Sequence, residues 1–89
     1  MLRLNYDARG DILYLGWADK SNSVGDEILS GYVIHTDMDT DEVTGLTVLD
    51  FMERYRSGRF NPPPLPIYID YEVEVIPLAT AHIREAVTA

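Results

Sequence analysis

The segment from Gly31 to Gly58 constrains the fold more than any other part of the chain. Tyr32-Val-Ile-His-Thr36 is β-branched and aromatic enough for a strand, Asp37-Met-Asp-Thr-Asp-Glu42 turns the chain, and Val43 to Leu49 returns it as a second strand. Asp50 then stands as the N-cap of a short helix, with Glu53 three residues on to complete a capping box. Phe51, Met52 and Tyr55 share one helical face and should lie on the sheet. Arg54 and Arg56 fall in the last turn, where cations complement the macrodipole, and Gly58 suits the C′ position. Two turns of helix do not persist alone in water, so packing must hold them.

The residues before this segment supply a hairpin. Leu2, Leu4 and Tyr6 alternate with Arg3 and Asn5, the period of a half-buried strand. Asp7-Ala-Arg-Gly10 forms the turn, with Gly10 placed for the left-handed residue of a bulged hairpin. Ile12-Leu-Tyr-Leu-Gly-Trp17 is apolar on both faces except at Gly16, the pattern of a central strand. Ala18 to Ser23 is a polar loop, and Val24 to Leu29 reads either as a short edge strand or as an extended connection.

After the helix, Asn61-Pro-Pro-Pro-Leu-Pro66 reads as a stiff extended linker. Ile67, Ile69, Tyr71, Val73 and Val75 then alternate with Asp70, Glu72 and Glu74, which predicts a further strand with an apolar and an acidic face. Ala79 to Val87 has the spacing of a short terminal helix, with Ile83 and Val87 at i, i+4. The expected fold is α+β: a small antiparallel β-meander of four to five strands, packed by a short capped helix and followed by the C-terminal strand and helix. Residues 1–60 carry the core, 61–66 the linker, and 67–89 either complete the same domain or form a dimer interface.

Size and charge narrow the function classes. A chain of 89 residues buries roughly 60–65% of its unfolded surface and is marginal without help. It has no cysteine, which excludes disulfides and thiolate metal sites and leaves oligomerisation as the remaining support. The net charge of −8 repels nucleic acid and anionic membranes and suits a cationic partner or a divalent cation. No apolar run reaches the ~20 residues of a membrane span, and the first residues lack a signal-peptide core, so a cytoplasmic location is expected.

Tyr6-Asp7, Asp11-Ile-Leu-Tyr14, Gly31-Tyr-Val-Ile, Asp37-x-Asp39 and Val43-x-Gly45-Leu46-x-x-Leu49 occur in an order that resembles a small prokaryotic family, domain of unknown function 2283. The resemblance covers roughly residues 2–56. It implies a small antiparallel sheet with a helix, no established catalytic residues, and for some members a position beside genes for toxin-like proteins. Thr36 and Thr47 stand here where that family often has acidic residues.

Asp37-x-Asp39-x-Asp41 has the opening spacing of an EF-hand loop, but Glu42 and Val48 occupy the positions of its turn glycine and closing glutamate, so a polar hairpin turn is the favoured reading. His35 could join Asp37 and Asp39 on one face if the strand ran that far, with His82 as the other imidazole in the chain. Arg54, Arg56 and Arg59 beside Tyr55 and Phe60 form a basic island that would suit an anion or RNA, but the acidic remainder of the chain favours two of them capping the helix and the third standing in solvent. There is no Gly-x-Ser-x-Gly, no phosphate loop and no selected carboxylate pair, so no enzyme is expected.

Three functions are therefore ranked. The first is a non-catalytic assembly domain, a homodimer using the apolar face of Ile67, Ile69, Tyr71, Val73 and Val75 and the Arg54, Arg56 and Arg59 island. The second is an antitoxin-like acidic protein that neutralises a small basic partner. The third is a weak divalent-cation site at Asp37, Asp39 and Asp41. No cofactor, nucleic acid or membrane partner is expected.

Overall fold

The computed structural model describes residues 2–19 and 21–88. Five strands, β1 (Arg3–Asp7), β2 (Ile12–Gly16), β3 (Ser23–Leu29), β4 (Tyr32–Asp37) and β5 (Val43–Leu49), form one antiparallel sheet in the order β1-β2-β5-β4-β3. Strands β3, β4 and β5 make a meander, and the β1–β2 hairpin joins it where β2 pairs with β5. The segment Val24 to Leu29 is thus an edge strand.

Strand register sorts the side chains onto two faces. Tyr6, Leu13, Val48 and Tyr32 lie in one row, and Leu4, Leu15, Leu46 and Ile34 in the next. All but Leu4 are buried, and they make the sheet side of the core. Helix α1 (Phe51–Arg56) closes over this face with Phe51 and Met52 buried. Phe51 meets Tyr6, Tyr55 and Phe60 at ring separations of 5.2–6.2 Å, and Phe60 in turn meets Tyr71 edge-on at 4.8 Å. Among the described residues the opposite face carries no helix.

The cap of α1 differs from the sequence expectation. Asp50 has φ 55° and its side chain makes no cap hydrogen bond. Its role falls to Asp11, whose carboxylate accepts from Met52 N–H (2.8 Å) and Glu53 N–H (3.2 Å) while its carbonyl accepts from Phe51 N–H (3.0 Å). Pairing of Ile12 with Leu49 brings the residue before one strand to the residues after the other. Asp11, not Gly10, is also the left-handed residue of the β1–β2 turn, with φ 55°.

The predicted C-terminal strand is absent: residues 67–70 are irregular and the rest is helical. Tyr71–Val75 forms a π-helical turn that runs into α2 (Ile76–Thr88), which begins before the expected Ala79. Asp70 caps it by accepting from Val73 N–H at 3.2 Å, and Glu74 returns a carboxylate to Asp70 N–H at 3.0 Å. Ile76 N–H reaches Tyr71 O across the wide turn, next to Pro77, which has no N–H to continue a regular ladder. The buried stripe Val75 and Ala79, flanked by the half-buried Tyr71 and Ile83, repeats every four residues and outweighs the alternation. Leu65, Ile67 and Ile69 carry the proline segment along the same core. Among the described residues no helix is long and apolar enough to cross a membrane.

Candidate functional site

The residues nominated from sequence are mostly occupied by the fold. Asp37 Oδ1 accepts from Asp39 N–H (2.8 Å) and Thr40 N–H (3.1 Å), and these bonds hold its carboxyl below the usual carboxylate range. Asp39 accepts from Asn22 Nδ2 at 2.9 Å, and Asp41 takes φ 61°. The three acids fix a hairpin turn, and no three His, Asp or Glu side chains gather as a metal site among the described residues. His35 Nε2 lies 2.9 Å from Thr47 Oγ1 on the helix-free face.

The arginines do not converge either. Arg54 donates to Leu49 O (2.9 Å) and Ser30 O (3.1 Å) and sits 5.0 Å over the Tyr32 ring, tying α1 to the β3–β4 turn. Arg59 bonds Ser57 and pairs with Glu53 at 3.6 Å in solvent, while Arg56 lines a shallow hollow with Tyr6 and Asp11. Of the expected partner face, Ile69 and Val75 are buried, Ile67 and Tyr71 pack on the core, and Val73 alone is open to solvent at 69%. Four of these five side chains hold the chain's own core, which corrects their assignment to an interface.

The sheet edges remain. Met38 N–H donates to Asn22 O at 3.0 Å, which sets the alternation in β3. Even-numbered residues of β3 bond to β4, so the main-chain groups of Ser23, Gly25 and Glu27 point outward. At the far edge the same alternation turns the groups of Leu4 and Tyr6 outward from β1. There α2 packs against the strand, and Tyr6 O lies 2.9 Å from His82 Nδ1, which must carry the proton because a carbonyl can only accept.

No family model, curated protein or solved structure matches this chain.

The β3 edge is the candidate site. Besides its outward main chain it exposes Val24, Ile28 (52%) and Leu29 (51%). Glu27 bends back to accept from Gly31 N–H at 2.8 Å, which draws one of its two acids away from the edge. Asp26 stays exposed. Sequence reasoning offered this edge strand only as an alternative and named no site on it, because Val24 to Leu29 reads equally as a connection. Its available signal was the apolar pair Ile28-Leu29 on a strand with no apolar partner strand assigned.

Proposed function

We propose that the chain is a cytoplasmic, non-catalytic assembly domain that forms a homodimer by adding β3 of one copy antiparallel to β3 of another. The supporting observation is the asymmetry of the edges: β1 is covered by α2 and His82, and β3 is open. A two-fold contact at one open edge consumes that edge in both copies and stops at two.

Electrostatics selects the register. A pair centred on Asp26 sets two carboxylates face to face, and one centred on Glu27 does the same. A pair centred on Gly25 sets Val24 opposite Asp26 and Ser23 opposite Glu27, with no like charges directly opposed. Gly25 also joins its main chain outward, as a hydrogen-bonded centre requires.

Sedimentation velocity tests this directly, with twice the 10.1 kDa chain mass expected. Glu27→Pro removes one outward N–H and leaves the β3–β4 bonds, so it should give a folded monomer. A monomeric wild-type chain at high micromolar concentration refutes the proposal. Salt separates the alternative occupant suggested by Asp26, a small basic protein. Two copies of net charge −8 associate more tightly as salt rises, whereas a basic partner is released.

A further inference from the structure

The helix-free face of the sheet holds a groove of about 550 Å³. Its floor is main chain. Gly16 and Gly45 stand directly opposite each other on β2 and β5, and the row continues to Arg3 on one side and His35 on the other. Tyr14 and Thr47, one pair further along the same two strands, form the end wall.

The two glycines are absent of side chain for different reasons. A Cβ at Gly45 would stand 2.5 Å from Leu15 O, so the strand itself demands glycine there. The nearest atoms to a Cβ at Gly16 would all belong to the Arg3 side chain, with Nη2 at 2.9 Å. Glycine at 16 therefore lets the guanidinium lie over the sheet, where it also donates to Ala18 O. The guanidinium thus covers the Gly16 end of the floor, inside the groove.

The charge of the lining is the second observation. The chain carries fifteen acidic residues, and none of them lines this groove. Its polar side chains are the guanidinium of Arg3, the imidazole of His35, and the neutral groups of Asn5, Tyr14, Thr44 and Thr47. A flat peptide floor accepts a planar ring, Tyr14 offers it an aromatic edge, and the guanidinium fork matches a carboxylate. One fixed cation in a protein of net charge −8 favours a ligand with a single negative charge.

We propose that this groove binds a small planar organic anion, an aromatic monocarboxylate. The groove is complete within one copy, so binding is independent of pairing at β3.

The test uses 2-naphthoate as probe and 2-naphthylmethanol as its neutral counterpart, followed by amide shifts in ¹H–¹⁵N spectra. 2-Naphthoate should shift Gly16, Gly45 and Thr47 saturably, and the alcohol should bind at least about tenfold more weakly. Arg3→Gln should weaken 2-naphthoate by a similar factor, and Gly16→Val, checked for native dispersion of its other amides, should abolish the shifts. Absence of saturable shifts at millimolar probe overturns the proposal. So does equal binding of the alcohol, equal binding to Arg3→Gln, or shifts that centre outside the groove.

Discussion

Asp11→Ala should be among the most damaging single changes outside the apolar core. Asp11 Oδ1 accepts from the Tyr6 hydroxyl at 2.6 Å as well as from Met52 N–H, and Oδ2 accepts from Glu53 N–H. Alanine removes a helix cap worth about 1 kcal/mol. It also strands the hydroxyl of Tyr6, a residue only 4% exposed, at a cost of about 1–3 kcal/mol. Placing alanine at φ 55° adds about 1 kcal/mol. The sum is roughly 3–5 kcal/mol against the 5–15 kcal/mol of a typical domain. At about 4–8 °C per kcal/mol for a chain of this length, Tm should fall by more than about 12 °C. Circular dichroism melts and urea titrations measure this, and Asp11→Asn, which tolerates the left-handed backbone and keeps one acceptor, should recover part of the loss. A double-mutant cycle with Tyr6→Phe should give a coupling of about 0.5–3 kcal/mol. A Tm drop of under about 3 °C for Asp11→Ala, or additivity with Tyr6→Phe, refutes the argument.

Val73→Asp should cost no more than about 0.5 kcal/mol while Val75→Asp unfolds the chain, because only Val75 is buried; equal effects in urea melts would restore the strand reading. Burial pushes the Tyr71 hydroxyl up to about 12, and among the described residues it has no hydrogen-bond partner. Ionisation is thus disfavoured in the folded state, stability is full below pH 10 and falls as pH rises toward 12, and Tyr71→Phe should melt no lower at neutral pH and lose less on alkaline titration. Asp37 has the opposite sign: its depressed pKa contributes stability above the ordinary carboxylate range that is lost as pH falls through the folded value, a loss that Asp37→Asn should blunt in acid melts. Millimolar calcium should leave Tm unchanged, since a site filled at a hundredfold excess over its Kd would add about 2.7 kcal/mol.

The sheet was legible where the signal was local. Alternation in Leu2 to Tyr6, the apolar run from Ile12 and the β-branched residues of β4 and β5 each declare a strand and its face. The cap of α1 was not, because it comes from forty residues upstream and depends on β2–β5 register, which no local pattern encodes. Asp50 and Glu53 offered a plausible local cap that tertiary structure overrode. In the C-terminal third, two periods are superimposed: Ile67 to Val75 alternates, while Tyr71, Val75, Ala79 and Ile83 step by four. The second wins because Asp70 and Glu74 close a helix start and the apolar stripe reaches the core. The groove on the open face was invisible for a related reason, since Gly16 and Gly45 acquire meaning only when register sets them side by side.

If copies join at β3 as proposed, the bond from His82 to Tyr6 gives the sheet a valence of one. On that proposal a copy with α2 in place would join one neighbour, and growth would end. Remove α2 by truncation, and β1 would become a second bonding edge on the opposite side of the same sheet. The chain would then be a divalent monomer, able to extend into filaments by alternating β3–β3 and β1–β1 contacts. On this view α2 acts as a chain terminator, and its loss would change the kind of assembly rather than its strength.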